Sequence, residues 1–220
     1  MNSVVAPTAV GLSRLHFPVT ALGYGRRIGL WLQGCSIRCK GCMSLDTWQA
    51  ATRPVEIDQL VANMAPWFGM ADGLTVSGGE PFDQPAALKL LLSRVRPFIR
   101  GDVLVFTGYN YNDLTPEAVS ATTLIDTLIA GPFDQERACG RPLVASDNQT
   151  VHLLTDLGAE RYAQVAARDA HIPRMDVIAD GAEFWLAGIP RPGDLERLSR
   201  ILDADGLSMK TSAGRIGGRP

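Results

Sequence analysis

Apolar residues along this chain follow two rhythms, and their order predicts the fold. Residues 14–19 and 28–33 form short apolar runs that read as strands, the second leading directly into Gly34 and Cys35. Residues 55–67 place Ile57, Leu60, Val61 and Met64 at helical spacing. Residues 73–77 (GLTVS) read as a buried strand ending on Gly78-Gly79-Glu80. Asp83 is the expected N-cap of the next helix, with Pro85 in its first turn and Leu88, Leu91, Leu92 and Val95 on one face. Residues 102–106 (DVLVF) predict a strand ending at Thr107-Gly108-Tyr109. Thr115 and Pro116 open a short helix, and residues 124–130 return as a strand. Strands with little alternation, interleaved with amphipathic helices, predict βαβ units and a mostly parallel sheet covered on both faces. Ligands of such α/β sheets gather at the carboxyl ends of the strands, where several of these polar and glycine-rich segments fall.

The pattern changes beyond about residue 150. Residues 150–154 predict a strand and 156–168 a helix. Residues 177–186 read as a hairpin turning at Asp180-Gly181, and Leu195, Leu198, Ile201 and Leu202 mark a last helix before a Gly/Arg tail. Residues 1–12 read as a loose lead-in. The 220 residues suffice for one domain, with a core over about residues 13–155 and an extension over about 156–220.

Composition narrows the function classes. The formal net charge is −2, with 20% charged residues and scattered arginines, which argues against a nucleic-acid or membrane-surface binder. No stretch approaches the roughly 20 apolar residues of a membrane span, and the N-terminus has no secretory pattern, so the expected location is cytoplasmic.

Three of the four cysteines lie within eight residues, as C-x3-C-x2-C at Cys35, Cys39 and Cys42. In a reducing compartment such clustering points to metal binding, not a disulfide framework. Three thiolates on one loop can hold three corners of an iron–sulfur cubane and leave the fourth iron open to an exogenous ligand. A zinc site completed by His152 or Cys139 is the alternative, although zinc sites usually pair two knuckles and no second knuckle is present. Cys139, in Glu136-Arg137-Ala138-Cys139-Gly140, stands apart as a small loop residue, and His16, His152 and His171 are scattered.

The cysteine loop after one strand and Gly-Gly-Glu after a later one resemble the radical S-adenosylmethionine (SAM) superfamily. Within it the chain is similar to the activating proteins of anaerobic (class III) ribonucleotide reductases. The likeness is carried by GCSIRCKGCMSLDTW (34–48), GLTVSGGEP (73–81), VFTGY (105–109) and residues 125–149, which contain IDTLIAGPF and Ser146-Asp147-Asn148-Gln149.

The resemblance implies an incomplete (β/α) radical SAM barrel, followed by the small C-terminal hairpin and helix. It implies one [4Fe–4S] cluster on Cys35, Cys39 and Cys42, with the SAM amino and carboxylate groups on the open iron. Gly78, Gly79 and Glu80 would pass along the methionine moiety, Glu80 accepting from its ammonium. Thr107, Gly108 and Tyr109 would line the SAM pocket, and Asn148 and Gln149 would contact SAM or its ribose. Trp48 would pack beneath the cluster loop. The implied reaction is one-electron cleavage of SAM to methionine and a 5′-deoxyadenosyl radical, which takes a hydrogen atom from a backbone glycine of a large glycyl-radical partner of the reductase type. An external one-electron donor such as flavodoxin or ferredoxin would feed it. Gly41 stands before the third cysteine, where many radical SAM enzymes carry an aromatic residue; this matches the activating-protein branch. A stand-alone radical SAM enzyme acting on a peptide or small molecule, and a non-catalytic zinc- or cluster-binding module, are the alternatives.

The ligand count yields a direct test. Replacing Cys35, Cys39 or Cys42 by Ala is expected to abolish SAM cleavage after dithionite reduction, whereas Cys139→Ala leaves it nearly intact, as measured by methionine release from anaerobically reconstituted protein.

Overall fold

The computed structural model of the chain describes residues 7–167, 175–180, 183–191 and 193–206. Strand β1 (Ala9–Val10) precedes β2 (Leu12–Val19) and β3 (Arg27–Leu32), and β4 (Val55–Glu56) leads into α1 (Ile57–Met64). Then come β5 (Gly73–Gly78), α2 (Pro85–Val95), β6 (Asp102–Thr107), α3 (Pro116–Thr122) and β7 (Thr127–Ala130). A small hairpin, β8 (Ala138–Arg141) and β9 (Val144–Ser146), is followed by β10 (Thr150–Leu153) and α4 (Asp156–Ala166). The C-terminal region holds β11 (Met175–Asp180), β12 (Glu183–Gly188) and α5 (Asp194–Ala204).

The fold is mixed α/β around a six-stranded sheet in the order β10-β7-β6-β5-β3-β2. The four central strands, β7, β6, β5 and β3, run parallel. β2 and β10 close the two edges in antiparallel sense. Parallel neighbours bring all four central carboxyl ends to one side. Leu32 pairs with Gly78, and Thr107 with Ala130.

Side chains alternate across the sheet as the pleat demands. Ile28, Leu30, Leu32, Leu74, Val76, Val103, Val105 and Leu128 point to one face and bury Leu60 and Met64 of α1, Leu88, Leu91 and Leu92 of α2, and Ala118 and Ala121 of α3. On the opposite face, Leu104 and Ile129 pack with Tyr162 and Val165 of α4. Further along that face Trp31 packs with Val19, Leu22 and Ala187 of β12. β3, β6 and β7 thus feed cores on both faces, and the C-terminal hairpin covers a stretch of the second face.

Several expectations shift in detail. Residues 55–67 divide into a two-residue strand, α1 and a 3-10 turn over Ala65–Trp67, because Pro66 cannot donate to a continuing helix. Part of the expected lead-in is ordered, since Ala9 and Val10 pair with Glu56 and Val55. β7 begins at Thr127, not at residue 124: the Leu124 and Ile125 amides close the end of α3 onto Ala121 and Thr122. Gln84, not Asp83, occupies the N-cap of α2, and no side chain caps that helix. The β8–β9 hairpin has no periodic signal in the sequence. The turn expected at Asp180-Gly181 lies partly outside the described residues, as do His171 and the Gly/Arg tail beyond residue 206. No helix among the described residues is long and apolar enough to cross a membrane.

The amino ends of the strands carry a buried charge cluster. Arg27 is fully buried and donates to both Asp102 carboxylate oxygens at 2.9 and 2.7 Å, to Thr75 Oγ1 at 2.6 Å and to the Leu74 carbonyl at 2.7 Å. Arg161 and the Tyr162 hydroxyl of α4 also donate to Asp102. Burial penalises the Asp102 anion, but Arg27 and Arg161 more than offset it and hold the carboxyl below its usual range. The cluster ties β3, β5 and β6 to α4 at the end of the sheet opposite the cysteines. Asp102→Ala strands the Arg27 cation, and such a loss costs about 3–5 kcal/mol. Urea unfolding is expected to register that loss, while iron–sulfur loading of the folded fraction stays at the wild-type stoichiometry.

Candidate active site

Four strand exits converge on one cavity of about 580 Å³. Cys35, Cys39 and Cys42 line it after β3, Gly78, Gly79 and Glu80 after β5, Thr107 and Gly108 after β6, and Gly131 and Phe133 after β7. The cysteine loop obtains its curl from backbone geometry. Gly34 and Gly41 have φ of 105° and 76°, and Arg38 is left-handed at 52°, a conformation with a cost of about 1–2 kcal/mol for a residue bearing a Cβ. The Cys42 amide donates to the Cys39 carbonyl at 3.1 Å, and the Ser44 amide donates to Cys42 Sγ at 3.4 Å.

The two glycines are dictated by the chain itself. A Cβ on Gly78 would overlap the Leu32 backbone, and one on Gly79 would overlap the Gly34 carbonyl. That proximity allows the Gly79 amide to reach the Leu32 carbonyl at 2.9 Å and the Glu80 amide to reach the Gly34 carbonyl at 2.8 Å. The base of the cysteine loop is thereby hydrogen-bonded to Gly-Gly-Glu.

Glu80 is 1% exposed. Its Oε1 accepts from the Phe82 amide at 2.9 Å and the Thr107 hydroxyl at 2.8 Å, and its Oε2 from the Gly108 amide at 2.7 Å. Burial pushes its carboxyl up to about 7, against these three donors, which favour the anion. Glu80 therefore cross-links the β5 and β6 exits as well as lining the cavity.

Asp83, expected as a helix cap, instead holds the cysteine loop. Its carboxylate accepts from the Ser36 amide at 2.6 Å, the Ser36 hydroxyl at 2.8 Å and the Tyr109 hydroxyl at 2.8 Å. Tyr109 thus acts through Asp83 and Ser36 and does not line the cavity. Ile37 packs where a Cβ on Gly108 would sit, at 3.0 Å. Nothing local in the sequence links Ser36 to Asp83, 47 residues away; only the meeting of two strand exits does.

Gln149 lines the cavity and pins a turn. Its Oε1 accepts from the Ala145 and Ser146 amides at 2.8 and 3.2 Å, and its Nε2 donates to the Gly131 carbonyl at 3.0 Å. Asn148 donates to the Pro132 carbonyl at 2.6 Å and lies outside the cavity lining. Trp48 lines the cavity, and its carbonyl accepts from the Cys35 amide at 3.1 Å.

The donor set fits an iron–sulfur cluster. Burial pushes the Cys35 and Cys39 thiols up; the Arg38 and Ile37 amides partly offset this at Cys35, as the Phe133 amide does at Cys39. These amides are in place to donate to thiolates once a cluster takes the thiol protons. Among the described residues no three His, Cys, Asp or Glu side chains are gathered closely enough for one metal ion. Both proposed fourth zinc ligands are also occupied elsewhere. His152 hydrogen-bonds Thr150 at 2.8 Å and stacks on Tyr111, while the Cys139 thiol donates to the Val144 carbonyl at 3.3 Å.

Three thiols on one loop thus line a cavity at the carboxyl ends of parallel strands, a donor set of the iron–sulfur class. The family model described as "4Fe-4S single cluster domain" matches residues 21–152, and the chain belongs to that family. Its similar relatives are anaerobic ribonucleoside-triphosphate reductase-activating proteins. The one from Vibrio cholerae is 31% identical over 151 residues, 64% of this chain and 96% of the relative. The one from Escherichia coli K12 is 32% identical over 150 residues, 63% of this chain and 96% of the relative. The one from Enterobacteria phage T4 is 27% identical, covering 61% and 88%. A solved structure, QueE from Escherichia coli, overlaps 46% of this chain and 53% of its own at 17% identity and a TM-score of 0.36, too little to carry an argument.

Glu80 makes the SAM-free protein pH-sensitive. A carboxyl raised in the folded state binds its proton more tightly there than in the unfolded chain, so stability is highest at low pH and falls as pH rises from about 4.5 to about 7. Wild type is expected to lose about 2 kcal/mol more than Glu80→Gln between pH 5 and pH 8, as read by urea unfolding at each pH.

Proposed function

We propose that this protein is a radical SAM activating enzyme that installs a glycyl radical on an anaerobic ribonucleotide reductase. The single observation that carries this reading is the convergence of Cys35, Cys39 and Cys42 with Gly78, Gly79 and Glu80 on one cavity. The near-complete match to relatives bearing the activating-protein name supports the choice of partner.

In this reading the whole chain is one domain, an incomplete (β/α) barrel over about residues 13–155 with an appended C-terminal region. Cys35, Cys39 and Cys42 would hold one [4Fe–4S] cluster, leaving an iron without a protein thiolate for SAM. When bound, the cluster supplies the electron, drawn from a donor such as flavodoxin or ferredoxin, that cleaves SAM reductively and starts hydrogen-atom abstraction from the partner.

The chain's own residues position and enclose. The Cys35 and Cys39 thiols give up their protons on loading, and neighbouring amides face the resulting charge. Gly78 and Gly79 hold the strand exit against the base of the cysteine loop. Glu80 receives the SAM ammonium beside its existing donors, and that cation favours its anionic form. Thr107 and Gly108 keep the Glu80 carboxylate aimed at the cavity. Tyr109 and Asp83 brace the cysteine loop through Ser36. Gln149 holds the turn after β7, and Asn148 holds Pro132 beside it.

Anaerobically reconstituted protein, reduced and mixed with SAM and an anaerobic ribonucleotide reductase, is expected to yield a glycyl-radical EPR doublet with methionine release. SAM cleavage without a doublet on the reductase would transfer the chemistry to another substrate. Stoichiometric zinc with no sulfide in oxygen-free preparations would overturn the reading altogether.

A further inference from the structure

The cavity has a side that the proposed function leaves unexplained. Residues 186–191 and the first turn of α5 line it opposite the cysteine loop. All of them lie beyond residue 152, where the family match ends. A relative spanned to 96% by 64% of this chain has little length left for a counterpart.

This side is firmly anchored. The Asp176 carboxylate of β11 accepts from the Thr20 amide at 2.7 Å, the Thr20 hydroxyl at 2.5 Å and the Ala21 amide at 2.9 Å, directly after β2. Trp185 of β12 stands edge-on to Trp31 and His16, with ring centroids 5.1 and 5.2 Å apart. Ala187 is 2% exposed against Trp31 and Leu22, and all three line the cavity. Charge-assisted hydrogen bonds at one strand and aromatic packing at the other make this a wall, not a flap. Its lining runs from Leu186 through Pro190, apolar and small groups, to the charged Arg191 and Glu196.

We infer that β11, β12 and the start of α5 form an access wall that narrows the approach to the cavity. This rests on the cavity holding the cluster and SAM. The wall sets access by shape, and it sets access for small reagents as well as for the partner.

The test uses full-length reconstituted protein without SAM or partner, and follows iron release to an excess of a ferrous chelator by absorbance. Asp176→Ala removes the anchor and is expected to speed release about tenfold, whereas Ile189→Trp fills the approach and slows it about threefold. Rates within about twofold of wild type for both variants would overturn the wall. Should Asp176→Ala fail to fold, Ile189→Trp decides alone, unchanged release again overturning the inference. Wild-type protein that shows these access effects yet never cleaves SAM would leave the wall standing and remove the activase reading instead.

Discussion

Two peptide hydrogen bonds hold this site together: Gly79 to the Leu32 carbonyl and Glu80 to the Gly34 carbonyl. They form only because neither glycine carries a Cβ, which would collide with the β3 exit. Through them the cysteine loop and the Gly-Gly-Glu turn become one rigid corner of the sheet. A buried carboxylate with three donors then joins that corner to β6, and Asp83 clamps the outer side of the loop through Ser36. Each addition assumes the one before it.

The molecule divides its polar interior by sheet end. At the amino ends, Arg27 and Asp102 are mutually neutralised and fully enclosed, an arrangement suited to holding strands and α4 in place. At the carboxyl ends, Glu80 is buried among amide and hydroxyl donors, and the Cys35 and Cys39 thiols have amide donors. Stability is concentrated at one end, and binding capacity at the other.

The C-terminal region changes what such a site admits. The family match accounts for the loop, the glycines and the parallel strands, all before residue 153. Beyond it, a hairpin anchored by Asp176 and Trp185 supplies part of the cavity's lining. The family's region and the added lining therefore sit on separate stretches of the chain.

The chain's order of residues alone marked the central strands, the helices between them and the clustered cysteines of the loop after β3. Those features rest on local periodicity and on ligand spacing within a few residues, which need no knowledge of long-range packing. The tertiary structure alone decided the rest. Asp83 reads locally as a helix cap, and only the proximity of Ser36, 47 residues distant, makes it a brace for the loop. Glycines 78 and 79 suggest room for a ligand, yet their tightest neighbours are backbone atoms of β3. Asn148 and Tyr109 stand beside the cavity without lining it, and residues 186–191 with Gly193, Leu195 and Glu196, in no motif at all, add to its lining. Contacts of that kind depend on where distant strand ends meet, which no short-range pattern encodes.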